Sequence, residues 1–324
     1  MLARLTNPLH APGGGPVNWR RLAIDYNAWI LFAGLALVGS LMSPLFLTSE
    51  NLSNVLQQSA FIGVLALGQF LVILTGGIDL SVGSLLALST MVGALVMPQG
   101  SILAVLASVG VCTALGAISG VIVVKGRLPP FIVTFGMLTI ARGLDLSLTS
   151  GEAVNLPPDT GFSALGFGMS PVLVWGVAVA AIYLFLSQTR TGSYVYAIGG
   201  NVDAARVSGV NTGAILILVY ALSGAFAAVA GLVFLARAGV GLPTYGNGYE
   251  LQTIAAVVVG GVNIMGGSGK LTGAVIGVVF MTMLGNILNL TDANPFWSYC
   301  VIGAVLWLAV MFRSVIDRAR LERG

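Results

Sequence analysis

Few residues in this chain are able to do chemistry. The one histidine, His10, lies in a proline- and glycine-rich N-terminal stretch. That removes Ser-His-Asp and Cys-His catalysis and any histidine-based metal site. Gly266-Gly267-Ser268-Gly269 matches the G-x-S-G string of intramembrane serine proteases, but no span supplies a histidine base. Gly269-Lys270 invites a phosphate-loop reading. The motif needs Gly at 264 and Ser or Thr at 271, where this chain has Ile264 and Leu271. No cluster of Cys and His suggests zinc or haem, and Cys112 and Cys300 fall inside apolar stretches as small hydrophobes. The expectation is a protein that is not an enzyme and holds no cofactor of its own.

The remaining candidates are polar residues inside apolar segments, where they are costly and default to functional hypotheses. Asn54, Gln58 and Gln69 fall within about 60° of one another at 3.6 residues per turn, with Gln57 beside them. Thr282, Asn286 and Asn289 repeat at i, i+4 and i+7, again one face. Neutral amides and hydroxyls suit a hydroxyl-rich neutral solute, and they equally suit hydrogen bonds between helices. Arg142 and Asp145, three apart, can pair along a helix. The readings are a mutually neutralised structural pair near one interface, or a gate or solute contact. Asp79 stands in a glycine-rich break and is the strong candidate for a proton site in a secondary transporter.

The elements that must position these residues are membrane spans. The chain is 324 residues long, 57% hydrophobic and 8% charged, with mean hydropathy +0.98. A soluble protein carries roughly three times that charged fraction. Ten apolar stretches are expected as helices, over 28–46, 54–75, 82–97, 102–124, 130–149, 170–187, 214–236, 251–264, 271–290 and 297–312. Cations concentrate in every second gap: Arg20 and Arg21, then Lys125 and Arg127, Arg190 and Arg206, Lys270, and finally Arg313, Arg318, Arg320 and Arg323. Cytoplasmic loops retain cations, so both ends are expected in the cytoplasm. Arg142 and Arg237 break the pattern. The net charge of +3 is this loop bias and does not indicate nucleic-acid binding. The division expected is a cytoplasmic tail 1–27, a membrane domain 28–312 and a short cytoplasmic tail 313–324.

The spans 82–97 and 251–264 are short for a crossing, and each adjoins a glycine-rich break. One break holds Gly76, Gly77 and Gly83; the other holds Gly266, Gly267 and Gly269. Short, glycine-interrupted segments in two halves point to broken helices around a path, with a weak internal repeat near 54–97 and 250–290. The stretch 188–213 is the longest polar segment after the N-terminal tail. Within it Asn201 or Asp203 can cap a short helix over Ala204, Ala205, Arg206 and Val207, followed by Ser208 and ended by Gly209. It reads as a docking element or as an ordinary connector.

Leu74-Thr75-Gly76-Gly77-Ile78-Asp79-Leu80-Ser81-Val82-Gly83-Ser84 resembles the signature of permease subunits of bacterial ABC importers for monosaccharides, the ribose, xylose, arabinose and galactose type. The likeness is nearest to ribose permeases. Further matching stretches are Gly120 to Arg127, Ala197 to Asn201 with Ala204-Ala205 and Ser208 to Asn211, Gly248 to Leu251 and Gly266 to Gly269. The resemblance implies a multi-pass inner-membrane subunit that works by alternating access. Its implied partners are an ATPase subunit carrying ATP and magnesium, an extracytoplasmic solute-binding protein, a second permease chain and a monosaccharide. It makes Asn201 to Asn211 the loop that couples to the ATPase, and it moves Asp79 towards a packing or pathway role. Two positions depart from the pattern: Gln252, where relatives often carry Asp, and Gly213, where they commonly carry a base. The alternatives are a stand-alone proton-coupled transporter using Asp79 and an ABC permease for branched-chain amino acids.

Overall fold

The structure, a computed structural model, describes residues 27–308 except 159, 295 and 298, together with 311. The expected tails, with His10 and the terminal arginines, lie outside the described residues apart from the backbone of Asn27. The order is α1 (Asn27–Met42), α2 (Ser49–Leu74), α3 (Val82–Val96, extended by a 3-10 turn to Gln99), α4 (Ser101–Gly126) and α5 (Pro130–Thr149). Then come β1 (Val154–Asn155), α6 (Ser170–Gln188), α7 (Arg190–Gly200), α8 (Val202–Val207), α9 (Thr212–Ala238) and β2 (Val240–Gly241). The chain closes with α10 (Tyr249–Val259), α11 (Leu271–Leu290) and α12 (Tyr299–Leu308). The protein is therefore an all-α polytopic membrane protein whose only described strands form one short antiparallel pair, Val154 opposite Gly241 and Asn155 opposite Val240.

Among the described residues, seven helices are long and apolar enough to cross a bilayer, and α1, α10 and α12 are shorter. Each expected span contains a helix, but their lengths differ. The span placed at 54–75 starts earlier, at Ser49, because the hydroxyl of Thr48 accepts the N–H of Asn51 and caps it. The span placed at 251–264 has only 11 helical residues, about 16 Å at 1.5 Å per residue, or half the hydrocarbon thickness.

The core forms around α2 and α9. Every residue from 59 to 74 is buried, so this part of α2 is enclosed on all sides by protein. Helix α9 packs against α4 and also against α2 and α3. Its contact with α4 is backbone-close at Gly224, where an added Cβ would strike the carbonyl of Cys112. Lipid offers no hydrophobic drive for helices to associate, so small residues that admit close packing hold such pairs.

The break after α2 is an extended segment whose polar groups are satisfied by neighbouring helices. The hydroxyl of Thr134 on α5 donates to the carbonyl of Ile78 (3.0 Å). Asp79 accepts from the N–H of Ser81 (2.9 Å), the hydroxyl of Ser81 (2.6 Å) and the hydroxyl of Ser223 on α9 (2.7 Å). Irregular backbone at membrane depth persists only where protein satisfies it in this way.

The two glycine-rich breaks meet. Gly76, Gly266 and Gly267 all have positive φ, at 82°, 89° and 73°. A Cβ on Gly266 would come within 2.9 Å of the Cα of Gly76 and 3.0 Å of the Cα of Gly199. Gly269 closes the second break: its carbonyl accepts the hydroxyl of Tyr196 on α7 (3.1 Å). Gly83, at the start of α3, lies against Gly246 and the carboxylate of Glu250, leaving no space for a side chain.

Candidate functional site

A half-open cavity of about 160 Å³ lies between α2, α10, α11 and α12. Three carboxamides reach it from three helices: Gln58, Gln252 and Asn289. Met281, Leu284, Gly285 and Ile302 complete the lining. Each carboxamide offers two N–H donors and a carbonyl acceptor, and no charged side chain lines the cavity. A hydroxyl also donates and accepts, so this lining is matched to a polyhydroxylated neutral molecule lying against an apolar wall.

Of the α2 face expected from the sequence, Gln58 thus lines the cavity, and Asn54 is exposed one turn before it. Gln57, next to that face, accepts from Arg237 of α9 (2.9 Å). Gln69 is fully buried, and neither its Nε2 nor its Oε1 has a hydrogen-bond partner among the described residues. On α11, Asn289 lines the cavity, but the other two residues of its face do not. Asn286 forms a reciprocal amide pair with Asn51 of α2, at 2.7 and 3.0 Å. The hydroxyl of Thr282 donates to the carbonyl of Val278 in its own helix (3.0 Å). Gln252 completes the lining and was expected only as a departure from a family pattern. The short helix that carries it shows too few turns for a polar face to be read.

The intramembrane pair expected between Arg142 and Asp145 is not formed. Arg142 donates across to the segment after β2, to the carbonyls of Pro243 and Tyr245 (3.1 Å to the latter) and to Oδ1 of Asn247 (2.7 Å). Carbonyls left bare by a non-helical segment attract a guanidinium, which presents five donors in a planar fork. Both carboxyl oxygens of Asp145 are buried without a hydrogen-bond partner. Arg142 and Arg237, the two cations outside the topological pattern, are thus each committed to polar groups of another element.

The 188–213 segment carries α7 and α8. Asn201 caps α8, its Oδ1 accepting from the N–H groups of Asp203 (3.1 Å) and Ala204 (2.9 Å). Asp203 and Arg206 form the one ion pair found among the described residues, exposed, at 3.3 Å. Ala205 faces inward and is buried, whereas Val207 is 90% exposed. The hydroxyl of Ser208 donates to the carbonyl of Ala204 (2.8 Å), and Gly209, at φ 85°, turns the chain towards α9. A short capped helix thus presents a bare valine and an ion pair to its surroundings.

Comparison with known proteins adds the family. The model described as "Branched-chain amino acid transport system / permease component" matches residues 51–310. The chain is 41% identical to the ribose import permease protein of Escherichia coli (strain K12) over 305 residues, 88% of this chain and 94% of that protein. It is 38% identical to the ribose import permease protein of Bacillus subtilis (strain 168), over 86% of this chain and 88% of that one. It is 36% identical to the galactose/methyl galactoside import permease protein of Escherichia coli (strain K12), over 84% and 88%. No solved structure matches. The likeness read from the glycine-rich breaks extends along nearly the whole chain, and the protein belongs to this family of transport permease components, as a multi-pass protein of the inner membrane.

Proposed function

We propose that the protein is the membrane-spanning permease of an ATP-driven importer that carries a monosaccharide through the amide-lined cavity. The observation that carries this reading is the convergence of Gln58, Gln252 and Asn289, uncharged and drawn from three helices, on one cavity in a chain of this family. Relatives named for ribose and galactose import support the solute class. The permease unit spans 28–312 in ten membrane segments, with the tails 1–27 and 313–324 on the cytoplasmic side.

In this reading the solute arrives from an extracytoplasmic binding protein and passes between inward- and outward-facing states. Two permease chains, identical or sister, form the pathway. The chain has no phosphate loop, so ATP and magnesium belong to a partner ATPase. Helix α8 is the element that seats in that ATPase, with Val207 as its apolar contact and Ala205 packed behind it.

The description of the family model favours a second solute class, branched-chain amino acids. An amino acid brings a carboxylate and an ammonium into the site, and the cavity offers neither charge a partner. A stand-alone proton-coupled transporter would use Asp79, whose two oxygens already accept three hydrogen bonds. The test is competition for uptake in membranes containing the whole transporter. Inhibition by unlabelled ribose-type sugars and not by leucine supports the proposal; inhibition by leucine alone overturns the solute class.

A further inference from the structure

We infer that Arg142 is a positioning residue with two stations, the 243–247 segment and Asp145, and that its exchange between them sets where α10 begins. The inference rests on the reading of the cavity as the solute path, because α10 brings Gln252 to it.

The first station is occupied. One guanidinium holds Pro243, Tyr245 and Asn247, three acceptors in five residues, and α10 starts at Tyr249 directly after them. Gly246 of this segment lies against Gly83 at the start of α3, and Glu250 accepts the N–H of Gly248 (3.2 Å). The segment is a run of turns without helix or strand, held by two backbone bonds, Tyr245 N–H to the carbonyl of Leu242 and Tyr249 N–H to that of Gly246 (both 3.1 Å), and by these side-chain contacts.

The second station is empty and close. Asp145 follows Arg142 by three residues on α5, a spacing at which side chains are neighbours. It lies on the buried stripe of α5 with Met137 and Ala141, and neither carboxyl oxygen is hydrogen-bonded. A buried carboxyl without a partner is costly, and the cation that would satisfy it is committed elsewhere. In a second state Arg142 turns back to Asp145, that cost is relieved, and the carbonyls of 243–247 are released. Each state then leaves one set of polar groups unsatisfied, which is how a segment comes to have two comparable positions.

The test is a distance distribution by pulsed electron resonance on the permease in lipid nanodiscs. Spin labels go on Thr244→Cys and Glu152→Cys, both exposed, with the exposed Cys300 changed to Ser. The protein should show a major distance and a minor, longer one. Asp145→Asn removes the second station, and the longer population should fall by about tenfold, the worth of one charge-assisted hydrogen bond. Asp145→Glu should restore it. Arg142→Lys keeps the charge for Asp145 but loses the fork for three acceptors, so the longer population should rise. A purely structural role gives no such opposed shifts. Shifts in the same direction, or no shift in either variant, overturn the inference. No ATPase or solute is needed, so the outcome is separate from that of the transporter reading.

Discussion

The N–H of Gly267 donates to the carbonyl of Leu74 at 3.0 Å, joining the turn between α10 and α11 to the last residue of α2. Gly199, near the end of α7, is pressed against the same two residues. Three elements therefore touch through bare backbone at one point: the end of α2, the α10–α11 turn and the segment leading into α8. Any displacement of α8 reaches, with no side chain in between, the helices that carry Gln58, Gln252 and Asn289. Packed interfaces of this kind pass on small shifts because they cannot deform continuously.

Gly199→Ala should therefore abolish uptake or reduce it at least tenfold, because its Cβ would collide with the backbone of Leu74 and Gly267. Gly200→Ala, one residue on, has nothing within 4 Å of the new Cβ and should leave uptake unchanged. Uptake per unit of membrane-inserted protein is the measurement. Equal effects of the two changes would remove the junction from the mechanism.

Gln58→Leu and Asn289→Leu should raise the solute concentration needed for half-maximal uptake, each by roughly the worth of one hydrogen bond, ~1 kcal/mol or fivefold. Asn286→Leu should act differently. It breaks the pair with Asn51, so it should lower thermal stability by about 0.6–1.7 kcal/mol with a smaller effect on solute dependence. Leu at both 51 and 286 should cost less than the two single changes summed. An altered half-saturation in Asn286→Leu as large as that in Gln58→Leu would return Asn286 to the pathway.

Val207→Asp should release the ATPase while leaving the permease folded, since the side chain is almost fully exposed. Bulky replacements of Ala205 and Gly209 should uncouple transport. Asp203→Ala should do little, because an exposed i, i+3 pair contributes no more than about 0.5 kcal/mol. Co-purification of the ATPase and uptake are read for each variant: retention by Val207→Asp would place the docking surface elsewhere, and full uptake by the Ala205 and Gly209 variants would remove α8 from the coupling.

Asp79→Asn should destabilise the protein, by about 1–3 kcal/mol, because it disrupts a network of three hydrogen bonds at a buried site. A proton uncoupler added while ATP is held constant should leave uptake by the unaltered protein unchanged. Loss of uptake under that treatment would revive Asp79 as a proton site.

Much of this architecture was legible because bilayer thickness imposes long apolar runs on the sequence, as in α4 and α9. The cap of α8 was legible because Asn201 and Gly209 act within a few residues of their own positions. Periodicity showed that Asn286 and Asn289 share a face, but not that Asn51 waits opposite one of them while the other meets a cavity. Such pairings join residues 235 apart and leave no local trace. Arg142 misled for the same reason. Its sequence neighbour Asp145 is an obvious partner, whereas its actual acceptors lie more than a hundred residues downstream. Gln252 was hidden by the shortness of α10, which offers too few turns to show a polar face.

The most direct test of the central claim is a mild-detergent pull-down of the tagged protein from its native membrane, with co-purifying chains identified by mass spectrometry. Recovery of an ATPase with phosphate-loop motifs is the expected result, and a second permease chain beside it would settle the pairing. Recovery of the protein alone, from membranes in which it actively takes up solute, would contradict the account.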